Sequence, residues 1–170
     1  MCKNQVIMEE VIVKHHPLFV NNSELSKIGL AYPEMFAVET LLEDCLAHTG
    51  GYNKVNQPHA DFDDLTQSDS KTGSIRVNSN SENSFKGEIS GVTTANGTEK
   101  LGSLRCVIYN PHNNGLMYYY LPKSYWSTLI NRHPTSGVGR IQFSYNKRFD
   151  SIKKLDDHKC VSFEELACKL

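Results

Sequence analysis

The sequence lacks a long apolar run, closely paired cysteines and any excess of charge. No stretch approaches the ~20 consecutive apolar residues of a membrane-spanning helix, so no membrane partner is expected. The five cysteines (Cys2, Cys45, Cys106, Cys160, Cys168) are odd in number, and no C-x-x-C occurs. A disulfide framework is therefore a poor starting hypothesis, and reduced thiols in a cytoplasmic protein are the expectation. The pairs His15–His16, Cys45/His48 and His158/Cys160 complete no four-ligand zinc pattern. No Walker loop, dinucleotide fingerprint or G-x-S-x-G elbow is present. In MCKNQVIMEEVIVKHHPLF, Glu9 and Glu10 occupy what a signal peptide keeps apolar, so no secretion signal is expected. A net charge of −1 lacks the basic balance that advertises a nucleic-acid partner, although an acidic metal site lowers the total and can hide a basic face.

What is present suits one mixed α/β domain over residues 1–170, with its core at about 33–146. In PEMFAVETLLEDCLAHTGGY, Met35, Val38, Leu42, Cys45 and Leu46 recur at helical spacing, and Gly50-Gly51 ends the pattern. A shorter helix is expected over 22–30, capped by Asn22 or Ser23. KTGSIRVN reads as a strand, and NSNSENSFKGE as a polar loop. SLRCVIYN (103–110) and LMYYYLPK (116–123) are the strongest strands, the first apolar on both faces and so central. SYWSTLINR (124–132) is predicted helical, HPTSG a turn and GRIQFSYN (139–146) a strand. SFEELACKL ends the chain as a short helix with Ser162 and Glu165 in capping-box positions.

DFDDLTQSDSKTGSIR concentrates four aspartates, Asp61, Asp63, Asp64 and Asp69, just ahead of Lys71. One reading is a solvated, turn-rich loop. The other is a divalent-metal site with a catalytic lysine. If Leu65–Ser68 joins two strands, Asp64 and Asp69 face each other, with Cβ atoms roughly 5 Å apart and their like charges uncompensated. Mg²⁺ prefers oxygen and takes one or two carboxylates beside phosphate oxygens, which suits such a pair. Strand alternation puts Lys71 on the face of Asp69, where an ammonium can stabilise charge developing on a phosphate.

A helix, an acid, Asp-Ser-Lys-Thr at the head of a strand and then further strands and a helix resemble the PD-(D/E)XK nuclease superfamily, which includes type II restriction and intron-homing endonucleases. The motif residues are Asp64 or Asp61 as first acid, Asp69 as second and Lys71 as the lysine. No Pro-Asp dipeptide occurs, Pro58 lying three residues before Asp61, and the gap between the acids is short for the family. An alternative register makes Asp69 the first acid and Glu88-Ile89-Ser90 a degenerate second motif. The resemblance implies a restriction-endonuclease-like mixed sheet flanked by helices. It implies Mg²⁺-dependent, sequence-specific cleavage of double-stranded DNA, and assembly as a homodimer or homotetramer. Asp61, Asp64 and Asp69 are then the metal-ligand candidates, with Asp64, Asp69, Lys71 and Glu39, from the preceding helix, as catalytic candidates.

Lys147, Arg148, Lys153 and Lys154, with Arg140 and Arg132 nearby in sequence, are candidates for phosphate contact, beside the reading of a solvated polar face, and His112, Asn113 and Asn114 are candidates for base contact. Tyr118, Tyr119, Tyr120, Tyr125 and Trp126 are read as core or oligomer packing in preference to base stacking. The rival from another class is a non-catalytic α/β binding protein whose Asp-rich turn is solvated.

Overall fold

The computed structural model describes residues 38–77, 84–110 and 115–170. Helix α1 (Val38–Gly50) leads into a small hairpin, β1 (Lys54–Gln57) and β2 (Ala60–Phe62). Strands β3 (Asp69–Val77), β4 (Ser84–Thr93), β5 (Leu104–Asn110) and β6 (Gly115–Leu121) follow. Then come a single turn of helix, α2 (Lys123–Trp126), a 3-10 turn (Ser127–Leu129), β7 (Ile130–Arg132) and β8 (Gly139–Asn146). The chain finishes with β9 (Ser151–Ile152), a second 3-10 turn (Asp156–His158), β10 (Lys159–Cys160) and α3 (Phe163–Cys168). The expected helix over 22–30 and the start of the first long helix lie outside the described residues. No described helix is long and apolar enough to cross a membrane.

The fold is mixed α/β, with few helices on an eight-stranded, mostly antiparallel sheet. The strand order is β10-β6-β5-β3-β4-β8-β7, and β9 adds to β8. The exception to antiparallel pairing is β3 against β5, which run parallel with Asp69 beside Leu104 and Lys71 beside Cys106. All seven residues of β5 are buried, as its two apolar faces predict. Leu104, Cys106 and Ile108 join Ile75, Ile89, Ile141 and Trp126 in one core layer. Val107 and Tyr109 join Leu42, Cys45 and Leu46 of α1 and Phe163 and Leu166 of α3 in the other. Each such fully buried side chain contributes about 1.5–3 kcal/mol of transfer free energy. Tyr119 and Tyr120 are buried, as the packing reading of the tyrosine run required.

Three local expectations fail. Of the predicted polar loop over 78–88, residues 78–83 lie outside the described residues, and 84–88 belong instead to β4, a central strand flanked by β3 and β8. Its core face is sparse, with Phe85 and Ile89 separated by Gly87, so the alternation is hidden among polar residues that point the other way. The predicted helix over 124–132 is one helical turn, a 3-10 turn and then strand β7, because Ile130 pairs with Ile141 at the sheet edge. Finally, β2 pairs with β1, and Asp63–Ser68 is a turn, so Asp64 and Asp69 do not close a two-stranded hairpin.

The end of α1 and the start of α3 follow from local chemistry. Gly51, at φ +73°, adopts the left-handed conformation that ends α1, its N–H donating to Ala47 O at 2.9 Å. Ser162 Oγ accepts from Glu165 N at 3.0 Å, while the Glu165 carboxylate accepts from Val161 N at 2.7 Å, so the expected N-terminal cap of α3 forms.

Candidate functional site

The topology creates one unusual crossing. Strand β4 runs antiparallel to β3, so it ends level with Asp69, while β5 begins level with Asp69 on the opposite side. The chain from Thr94 to Ser103 must therefore pass over the head of β3. It is tied down on the way: Lys100 N donates to Val92 O (3.2 Å), Leu101 N to His59 O (2.9 Å) and Asp69 N to Ser103 O (3.0 Å). A Cβ on Gly102 would lie 1.6 Å from Thr66 O, so here the crossing and the acidic turn touch backbone to backbone.

Below that crossing the four aspartates part company. Asp63 is at the surface, accepting from Asn53 N (2.7 Å) and Asn53 Nδ2 (2.8 Å). These bonds hold its carboxyl below the ordinary value. Asp64 turns inward. It accepts from Ser68 N (2.7 Å) and Ser68 Oγ (2.6 Å), and pairs with Arg105 Nη2 at 2.6 Å. Burial pushes the Asp64 carboxyl up, but Arg105 and Ser68 together outweigh burial, and its pKa falls below the ordinary value.

Arg105 is 1% exposed, and each of its nitrogens is used. Nε donates to Ser68 Oγ (3.0 Å), Nη1 to Leu166 O (2.5 Å) and Nη2 also to Lys169 O (2.9 Å). The rings of Tyr52 and Tyr120 each lie with their centroid 5.1 Å from the guanidinium carbon. This knot joins the acidic turn to the carbonyls at the end of α3.

Asp69 is 0% exposed, at the head of β3. Lys71 Nζ stands 2.6 Å from Asp69 Oδ2, and Lys100 Nζ stands 3.0 Å from Oδ1. Strand alternation thus brings Asp69 and Lys71 together, and the crossing adds Lys100. Burial raises the Asp69 carboxyl above its ordinary value, Lys71 opposes this, the Asp61 charge raises it further and Lys100 opposes it. Burial with Asp61 prevails over both ammonium groups. Asp61 accepts from Ser70 N (2.8 Å) and Ser70 Oγ (2.9 Å), leaving its other oxygen without a side-chain donor in this set. Cys106, level with Lys71 on the neighbouring strand, is buried, which pushes its thiol up and keeps it un-ionised.

The other sequence candidates lie elsewhere. Glu39 falls on the backbone of α1, with its side chain outside the described residues, and Asn113 lies outside them too. Glu88 faces away from Asp69: it sits opposite Ser74 and pairs with Arg140 Nη1 at 3.2 Å. Lys147 and Arg148 follow Asn146, which pairs with Ser84 at the end of β4 away from Thr93, nine residues or about 30 Å at strand rise. Lys153 and Lys154 follow β9, with Lys153 N donating to Ser144 O (3.2 Å) and Lys154 lining a pocket with Gly87 and Phe143, partway along β4. Arg132 is nearer, donating to Ala95 O (3.2 Å) on the crossing segment. Lys100 was missed by sequence reading. No local pattern marks it, since only the crossing carries it to β3.

Among the described residues no three His, Cys, Asp or Glu side chains group as a metal site. Asp61 lies near enough to Asp69 to raise its pKa, and a raised carboxyl pKa marks a position where added positive charge is favourable; Mg²⁺ takes one or two carboxylates from a protein. No family model matches the chain, and no curated protein matches it.

Proposed function

We propose that this protein is a Mg²⁺-dependent endonuclease that hydrolyses phosphodiester bonds of double-stranded DNA at specific sequences, in the manner of restriction or homing enzymes of the PD-(D/E)XK type. A restriction-endonuclease-like fold belongs to the proposal. The observation that carries it is the buried Asp69 carboxylate with Lys71 Nζ at 2.6 Å, at the head of a central strand. Partners lower the pKa of Asp64 below its ordinary value, whereas burial and the Asp61 charge raise that of Asp69 despite two neighbouring ammonium groups.

The first acid in this reading is Asp61, because Asp64 is committed to Arg105 and Ser68. Asp61 and Asp69 would hold Mg²⁺, which when bound supplies Lewis-acid stabilisation to a phosphoryl oxygen. Lys71 orients the attacking water and stabilises negative charge developing on the phosphate. Ser70 keeps Asp61 in place through two hydrogen bonds. Glu39 stays an accessory catalytic candidate. Lys147, Arg148, Lys153, Lys154 and Arg140 remain candidates for phosphates distant from the cut, and self-association as a dimer or tetramer serves cutting of both strands.

The test is plasmid nicking with and without Mg²⁺. Wild type cuts only with the metal, and Lys71→Ala and Asp69→Asn each lose at least about 100-fold, the scale of removing one transition-state donor. The non-catalytic binding reading is favoured by one observation, that both Asp69 oxygens already face an ammonium. It predicts no metal-dependent cutting by any of the three proteins. Cutting that survives in both variants would show the activity to reside at other residues.

A further inference from the structure

We propose that Lys100 is a substrate-binding residue of this site, its ammonium contacting a non-bridging oxygen of the scissile phosphate. The inference rests on the nuclease reading and extends it to a residue that the D-x-K pattern does not contain.

Geometry places Lys100 there. Its Nζ lies 3.0 Å from Asp69 Oδ1, on the oxygen that Lys71 does not take. A lone surface lysine spends much rotamer entropy to hold one position, yet this one is fixed along its length. Nζ also donates to Pro58 O at 3.0 Å. Its main-chain N–H donates to Val92 O (3.2 Å), and its carbonyl accepts from Lys123 Nζ at 2.6 Å. Lys123 in turn pairs with Glu99 at 2.5 Å and lies 4.1 Å from the centroid of the Trp126 ring. The side chains of Lys71 and Lys100 both keep 17% exposure, whereas the Asp69 side chain between them has none.

Charge counting gives the second reason. With both carboxylates ionised, Asp61, Asp69, Lys71 and Lys100 sum to zero. A divalent cation, when bound, would bring the site to two positive charges. A phosphodiester carries one negative charge, and attack by hydroxide adds another before the leaving oxygen departs. The four side chains and the cation together therefore neutralise the transition state, whereas a site without Lys100 falls one charge short. Fixed groups matched to charge that develops only in the transition state are the most effective electrostatic catalysts.

The experiment compares wild type with Lys100→Met and Lys100→Arg. DNA affinity is measured against salt on a labelled mixed-sequence duplex in EDTA, nicking kinetics in Mg²⁺ and thermal melting in parallel. A phosphate contact predicts that Lys100→Met lowers the slope of log K against log salt by about 0.9, the loss of one neutralised phosphate. It also predicts a fall of about 100-fold in kcat, with Lys100→Arg recovering the slope and most of the rate. A lysine that serves only to balance Asp69 predicts a lowered melting temperature for Lys100→Met with the salt slope and kcat unchanged, and that result overturns the inference while leaving the nuclease reading intact. A wild-type protein that neither binds the duplex nor nicks DNA in Mg²⁺ overturns both.

Discussion

Asp64 and Asp69 are five positions apart, both withdrawn from water, and both paired with cations, yet their ionisation is pushed in opposite directions. Asp64 meets a guanidinium whose three nitrogens all donate hydrogen bonds, plus a serine hydroxyl and a backbone N–H. Its charge is complete and its surroundings are closed. Asp69 meets two ammonium groups carried on partly exposed side chains, with a second carboxylate near enough to oppose them. The first arrangement is architecture, binding the acidic turn to the last helix. The second is an under-compensated carboxylate, and that is the physical basis for assigning function to Asp69.

The comparison breaks most visibly at Arg105. Replacing Arg105 with Met leaves Asp64 buried without a cation and the carbonyls of Leu166 and Lys169 without their donor, at a cost of about 3–5 kcal/mol. At roughly 2–4 °C per kcal/mol for a domain of this size, differential scanning calorimetry should record a fall of about 10 °C. Next is Asp64→Asn, which keeps the shape but removes the charge from a pair whose side chains are 4% and 1% exposed. A loss of about 3 kcal/mol is expected at neutral pH. A change below about 1 kcal/mol in either variant would put the architectural role of the pair in error.

Asp69→Asn sharpens the contrast. Since the folded protein already raises the pKa of this carboxyl, the neutral form is the one that folding favours. The amide should cost less than about 1 kcal/mol, or raise the melting temperature at pH 7, while cleavage is lost. The two lysines it releases can swing to solvent. A fall as large as that of Asp64→Asn would make Asp69 a structural anchor too.

Acid titration separates the same two groups by sign. Asp64 has a depressed folded pKa, so its stabilisation is present above its ordinary value of 3.8 and is lost as pH falls through the lower folded value. For Asp69, with a raised folded pKa, stability declines as pH climbs from 3.8 toward the folded value and stays reduced above it. Urea melts at pH 2–6 should therefore show Asp64→Asn with a flattened acid limb and Asp69→Asn gaining relative to wild type as pH rises. The smallest effect is a control at the far end of the knot. Ser162→Ala removes the cap of α3 at about 1 kcal/mol, loosening the helix whose carbonyls Arg105 holds without touching Asp69.

The legible part of this protein is its short-range order. Apolar and aromatic runs marked β5, β6 and β8, the Gly51 stop and the Ser162 cap marked helix ends, and the period of two put Asp69 and Lys71 on one face. Illegible were β4, whose Gly-diluted core face looked like a loop, and β7, whose strand character comes from pairing with Ile141. The site was half legible. The D-x-K pair could be read, but the first acid could not: Asp61, Asp63 and Asp64 are chemically alike, and choosing among them requires the position of Arg105 and Ser70.

By itself the sequence determined a composition without a long apolar run, the main strands and helix caps, and the adjacency of one acid and one lysine, because each depends on residues within a few positions of each other. Tertiary structure alone decided that Asp64 meets Arg105, 41 residues on, and that Lys100 crosses the head of β3 to reach Asp69. Side chains of one type differ in fate only through the partners and water that surround them. Those surroundings are set by strand order, which no local periodicity encodes.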